Sequence, residues 1–377
     1  MKQLSDNAWR RLAAVLFIGS LAAALWRLPT PPAALFEAPP AAAPSRLPVL
    51  YASESLPRAA ASAHAASLTQ LPDGRIAAAW FAGTREGADD VAIWFSVQDK
   101  NGWSTARAIA DRQSTAGGTF ASVRKIGNPV LYAEGSWLHL WYVSVSIGGW
   151  AGSSINHSLS NDGGVSWSKP SKLQTSPFAN ISTLVRSPPV ALADGGLGLP
   201  VYHEFIAKHG EWLRLSATGQ IVDKVRMAHP VRTLQPTLAV LDPQRALALL
   251  RDAGAGPGRV QTSRSSDAGL TWQAGAALPV PNPNSSIALL RLRSGRLLMA
   301  GNPPNGREAM LLWISSDEGA TWTPGKTIES APDSGAEFSY PALLLARDGR
   351  IHLAYTWRRQ GIKHAAFSEA WLDQEAP

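Results

Sequence analysis

Ser160-Asn-Asp162-Gly-Gly164-Val-Ser-Trp167, Ser265-Ser-Asp267-Ala-Gly269-Leu-Thr-Trp272 and Ser315-Ser-Asp317-Glu-Gly319-Ala-Thr-Trp322 repeat one pattern, Ser-x-Asp-x-Gly-x-x-Trp. Asp267 and Asp317 are 50 residues apart, and Asp162 and Asp267 are 105 apart, close to two such periods. The chemistry is that of a hairpin turn. Asp accepts from backbone N–H groups two residues on, and Gly takes the positive φ that a tight turn requires. Ser adds a local bond and Trp covers the turn with a large apolar face. A degenerate copy reads Ser96-Val-Gln-Asp99-Lys-Asn-Gly102-Trp103, and the skipped period is expected to turn near Ser216-Ala-Thr-Gly219.

A second pattern precedes each turn: an apolar strand, an Asp-Gly or Ser-Gly corner, and another strand. Ser67–Trp80, Ile287–Ala300 and Pro341–Tyr355 carry it in full, and Pro129, Pro189 and Pro236 open three more strands. Six starts over the chain predict an all-β fold, a six-bladed β-propeller with four-stranded blades. A β-helix would need a shorter period. The 32 Gly and 28 Pro, many of them between short apolar runs, favour short strands and tight turns over helices.

The chain has 377 residues, room for a large core, and a net charge of +7. No Lys/Arg run or basic stripe marks nucleic-acid binding, which is excluded on that ground. A mildly cationic surface suits an acidic glycan or an anionic membrane surface. With no cysteine, a disulfide, a thiol nucleophile and a thiolate metal site are all excluded. The eight His show no tight ligand spacing, and the Asp turns are not calcium loops, so neither a metal nor a cofactor is expected. A monomer is expected.

Lys2, Arg10 and Arg11 precede an apolar run from Leu12 to Trp26. About 15 apolar residues after basic ones match an export signal better than a full span of roughly 20. Residues 1–28 are read as a signal peptide or N-terminal membrane anchor, and 29–50 as a Pro/Ala-rich linker. The domain is then 51–377. An exported, periplasmic protein follows, held at the inner membrane if the segment is kept.

Inner strands of a propeller converge on a central channel. Polar residues at the start of each inner strand, or just after the second strand, meet there. These are His64, Glu86, Asp89, Asp90, Asn128, Arg186, His203, Glu204, Gln235, Arg251, Asn302, Arg307, Glu337, Tyr340, Arg358 and His364. Several are Arg, whose planar fork grips a carboxylate.

The Ser-x-Asp-x-Gly-x-x-Trp repeats resemble the Asp-box, or bacterial neuraminidase repeat, of sialidase-like glycoside hydrolases, and residues 58–372 are similar to that family throughout. The resemblance implies that the boxes sit on outer turns and are structural. It also implies a clamp of three Arg for a substrate carboxylate, a Tyr nucleophile with a Glu partner, and an Asp acid/base. Tyr340-Pro-Ala-Leu343 looks like the family's nucleophile segment. Asn302-Pro-Pro-Asn-Gly-Arg307 and Leu249-Leu-Arg251 look like two of its clamp segments.

Three departures stand out. His64 occupies the first clamp position, and Gln235 falls where the family's Glu assists the Tyr. No Asp has a sure match to the acid/base; Glu86 lies in the corresponding loop, with Asp89 and Asp90 as alternatives. Glu337 and Glu204 are alternative activators of Tyr340, while Arg186, Arg358, Asp90 and His203 are further candidates for substrate binding. The function implied is a retaining exo-glycosidase acting on an acidic sugar. A polysaccharide lyase or another exo-glycosidase on uronate-containing glycans, with His64 or His203 as base and Tyr340 as acid, is the competing enzyme. A catalytically inactive glycan-binding propeller is the non-enzyme alternative.

Overall fold

The computed structural model describes residues 6–26, 35–175, 180, 182–227, 232–332 and 334–374. The first unit holds an α-helix, Asp6–Trp26. Among the described residues no helix is long and apolar enough to cross a membrane. Lys2 and residues 27–34, where the Pro/Ala-rich stretch begins, lie outside the described residues.

The second unit is a ring of six antiparallel sheets. The first blade starts with the strand Ser62–Gln70, the second with Lys125–Glu134, and the third with Leu184–Val185 and Val190–Ala191. The fourth starts with Thr233–Val240, the fifth with Ala288–Arg291 and the sixth with Phe338–Leu345. All six expected starts fall on or beside these inner strands. The sixth blade takes its outermost strand from the other end of the chain: Tyr51–Ser55 pairs antiparallel with Gly361–Phe367. This closes the ring and covers an edge that would otherwise be open.

The core lies between blades. Phe81, Phe95, Leu131 and Tyr142 fill the seam between the first and second blades. Trp80, Leu68, Ala354 and Ile362 fill the seam between the sixth and first. Each of the other four neighbouring pairs has a comparable cluster.

The three boxes are turns, as expected. In the first, Ser160 Oγ donates to Asp162 Oδ1 at 2.7 Å and accepts from Gly164 N at 2.9 Å. Asp162 also accepts from Ser166 N at 2.9 Å, and Trp167 Nε1 donates back to Gly164 O at 3.1 Å. The box glycine has a second reason to be glycine. A Cβ on Gly164 would come within 2.6 Å of Phe95 in the preceding blade, and one on Gly269 within 2.6 Å of Trp212. The box therefore docks its blade onto the previous one as well as turning the chain. The skipped repeat does turn at Ser216–Gly219, where Gly219 N donates to Ser216 O at 2.8 Å.

The stretch read as a linker is not free over its described part. Phe36 is fully buried, bridges to Leu192 and meets the Trp212 ring edge-on at 5.9 Å. Ala43 N donates to Arg293 O at 2.8 Å, and Arg291 donates to Pro40 O at 3.1 Å. One buried aromatic offsets the entropy of holding this Pro-rich strap. Phe36→Ala is expected to destabilise the propeller by about 3 kcal/mol or more, measured as a lower urea midpoint at unchanged m-value.

Candidate active site

Four inner strands share one irregularity. Ala65, Asn128, Gln235 and Tyr340 all have φ near +50°. Each sits where the pairing of the first two strands slips, between His64 and Ser67, Gly127 and Val130, Leu234 and Thr237, and Ser339 and Ala342. Three of the four precede a proline, which has no N–H to give to the ladder. A bulge bends the strand and re-aims its side chains. Non-glycine residues in this region cost of order 1–3 kcal/mol each, held here by the packed blades on both sides.

Around Tyr340 the structure gathers residues from four blades. Arg307 and Arg186 place their guanidinium carbons 5.5 and 5.6 Å from the centre of the Tyr340 ring. The His64 ring meets it edge-on at 4.8 Å. His64 Nδ1 lies 2.9 Å from Thr356 Oγ1, across the seam between the first and last blades. Its Nε2 is buried with no hydrogen-bond partner. That nitrogen faces Glu337 at 3.7 Å and Glu86 at 3.9 Å.

Glu337 is the hub of this group. Its Oε1 accepts from Arg307 at 2.9 Å and from the Ser339 hydroxyl at 2.6 Å, and its Oε2 accepts from Arg359 at 2.5 Å. Burial alone would raise its pKa, but Ser339, Arg359 and Arg307 outweigh it and hold the carboxyl down at about 2. Glu86 is a third exposed and lies 3.6 Å from Arg359. Burial pushes His64 down to about 3, with nearby guanidiniums adding to the fall and Glu337 opposing it.

A second group lies on the fourth and fifth blades. Arg251 donates to Asn284 Oδ1 at 2.7 Å and to Gln235 Oε1 at 3.1 Å. Arg307 donates to Asn284 O at 3.2 Å, so Asn284 draws the two guanidiniums together. Behind them Tyr202 OH accepts from Asn128 and Gln235 at 3.2 and 3.4 Å. Burial raises the Glu204 pKa, and its carboxylate lies 3.8 Å from Lys208. Setting that pair aside, Arg186, Arg251, Arg307 and Arg359 outnumber Glu86 and Glu337, and His64 is neutral. The surplus is positive, which suits an anionic ligand.

The structure thus brings together Tyr340, His64, Glu86, Glu337, Arg307, Arg251 and Gln235 from the sequence candidates. Others have different parts or places. Arg186 is buried and its two Nη groups donate to the carbonyls of Ala66, Tyr340 and Pro341, while its Nε has no hydrogen-bond partner among the described residues, so it joins blades beside Tyr340 and is not a free clamp arm. Arg358 is exposed and lies over Trp357; its neighbour Arg359 reaches the site instead. The sequence signal was the Arg358-Arg359 pair itself, but only the hairpin geometry selects between them.

Asp90 accepts from Thr84 N at 2.9 Å and from its hydroxyl, closing the loop that carries Glu86, and Asp89 pairs with Arg112 at 2.6 Å. His203 stacks on His209. Asn302 ties the fifth blade to the sixth through Ala309 O and Phe338 O, and His364 pairs with His352 under the outer seam. Asn284 was missed because its role is to join two arginines that are distant in sequence.

Residues 74–353 match the family model described as a BNR repeat-like domain, and the chain belongs to that family. Among solved structures it is similar to the Hadza microbial sialidase Hz136, at 15% identity and a TM-score of 0.66, over 82% of this chain and 66% of that one. The intramolecular trans-sialidase from Ruminococcus gnavus aligns at 14% identity and a TM-score of 0.64, over 83% and 96%. A protein of unknown function from Dyadobacter fermentans aligns at 15% identity and a TM-score of 0.68, over 84% and 97%. The chain spans just under two thirds of the Hadza sialidase. No curated protein matches the sequence. The fold is a six-bladed β-propeller of the sialidase type.

The buried His64 sets a pH expectation. Unfolded His titrates near 6.5, and His64 in the fold near 3. The unfolded chain binds more protons between these values, so stability falls as the pH is lowered through that window. His64→Gln should flatten the pH dependence of the urea midpoint there, by up to about 1.4 kcal/mol per pH unit. Equal slopes in both proteins would contradict a neutral buried His64.

Proposed function

We propose that this propeller is a retaining exo-glycosidase acting on an acidic sugar. The observation that carries the reading is Tyr340 beneath Arg307, with Arg307 and Arg251 drawn together by Asn284 and two carboxylates alongside. Those two guanidiniums, both with donors to spare, suit a bidentate carboxylate. A sugar whose carboxylate sits beside its anomeric carbon repels a carboxylate nucleophile. A phenol is repelled less, and sialidases use one.

In this mechanism Tyr340 Oη attacks the anomeric carbon and gives up its phenolic proton to water while the glycosidic bond breaks; a water then attacks the same carbon, the Tyr340–sugar bond breaks, and the tyrosine takes a proton back from water. Glu86, in the more exposed position, protonates the leaving oxygen and later takes a proton from water. Glu337 does not fit the part of base. Held at about 2, it has little affinity for a proton. It orients Arg307 and Arg359 beside Tyr340. Gln235 likewise positions Arg251 and moves no proton. Export to the periplasm is part of the proposal and rests on the basic and apolar N-terminal segment.

Purified protein is to be assayed on aryl glycosides of sialic and uronic acids. Tyr340→Phe is expected to lower kcat by about 10³-fold or more, some 4 kcal/mol of transition-state stabilisation, with ligand binding retained. Full activity of Tyr340→Phe would sink the mechanism. Ultraviolet-absorbing unsaturated products would point to a lyase. Binding without turnover by either protein would point to a lectin. Arg251→Ala is expected to raise KM about ten- to hundredfold, the worth of a charge-assisted bond of about 1.5–3 kcal/mol. Glu86→Gln should impair substrates with poor leaving groups most, since activated aryl groups need no proton.

A further inference from the structure

The third blade holds a side-chain cluster that this mechanism does not use. His203 ends the strand Leu197–His203 and His209 opens the next, His209–Leu215. The two are cross-strand partners, with rings stacked 4.9 Å apart at 18°. Glu211, two residues on from His209, falls on the same face of the sheet. Each residue offers one ligand atom, and the three atoms lie within 4.8 Å of one another.

Details of the cluster suit a metal ion. His209 Nε2 and Glu211 Oε1 are 3.2 Å apart. Two ligands on a tetrahedral zinc-type ion, with bonds of 2.0–2.1 Å, sit about 3.3 Å apart. Lys224 Nζ holds Glu211 Oε2 at 3.0 Å, which turns Oε1 toward the imidazoles. The stacked ring of His203 is held against His209 across the strand pair, so the two imidazoles are already side by side. His209 Nδ1 is buried without a hydrogen-bond partner, so the ring's polar contact among the described residues is the Glu211 oxygen.

We propose that His203, His209 and Glu211 bind one zinc-type divalent cation, with a fourth position open to water or ligand. Two His and one carboxylate are a zinc donor set, and transition ions outcompete magnesium and calcium at such nitrogen sites. The ion would cross-link the two strands at the base of the hairpin that carries the exposed Phe205 and Ile206. It would also place positive charge beside Glu204, which senses Arg251. This inference stands independently of the glycosidase reading, because its test needs no substrate.

The full protein is dialysed against chelator and titrated with ZnCl₂ by calorimetry, and with CoCl₂ by visible absorption. One equivalent is expected, with the intense d–d bands of low-coordinate Co²⁺ and a Tm that rises with zinc concentration. His209→Gln and, separately, His203→Gln, both at partly buried positions, should weaken binding by about a hundredfold or more, since outer-shell changes alone cost ten- to a hundredfold. Lys224→Met should tighten it, because the competing ammonium is gone. His157→Gln, in the separate His139–His157 pair, should leave it unchanged. Absence of saturable binding by the unaltered protein, or undiminished binding by both His203→Gln and His209→Gln, would overturn the proposal.

Discussion

Closure of the ring is the constraint on which the rest depends. Six blades in a row leave an unpaired edge and an uncovered apolar face at each end. The strand Tyr51–Ser55 removes the edge by pairing with Gly361–Phe367. The cluster of Leu68, Ile76, Trp80, Ala354 and Ile362 buries the two faces against each other. Glu54 on the closing strand then lies 3.6 Å from His364 and accepts from Gln98 in the first blade, so the seam has polar ties as well.

The site is built on that same seam. His64 and Glu86 come from the first blade; Glu337, Tyr340, Thr356 and Arg359 come from the sixth. No pair drawn from these two groups is close in sequence. They meet because the chain ends where it began, and the His64–Thr356 contact crosses the join directly. The site and the closing seam therefore share the same contacts. The Phe36 strap adds to this by holding the approach to the closing strand against the third blade.

Within the site, charge is arranged to be useful to an anion and not to a proton. Glu337 is saturated by Arg307, Arg359 and Ser339. Gln235 is neutral at every pH. His64 is kept neutral by burial. What remains is a set of positioned guanidiniums around a phenol whose strand is bulged at the Tyr itself. The backbone strain at Tyr340 and Gln235 is the cost of pointing both into the channel, and the interblade packing supplies the compensation.

Much of the fold was legible because its signals are local. Ser-x-Asp-x-Gly-x-x-Trp contains its own hydrogen bonds, so three copies spaced 105 and 50 residues apart specify turns and period without any tertiary knowledge. Tyr340, Arg307 and Arg251 were legible for a similar reason, since each lies in a short segment with a recognisable form. Other features were not local. Whether Arg358 or Arg359 faces the channel depends on the φ angles of one hairpin, and a one-residue step reverses a side chain's direction. Arg186 reads as a clamp residue until its donors are found on the carbonyls of another blade. Asn284 joins two arginines 56 residues apart, and His203 meets His209 only because two strands pair in one register. By itself, then, the sequence determined the repeat, the propeller and the residue types available to the channel, because turns and alternation are encoded within a few residues. Only the tertiary structure decided which of those residues meet, which are spent on packing, and that Glu337 carries arginines in place of protons. Burial and charge pairing depend on what the closed ring brings alongside.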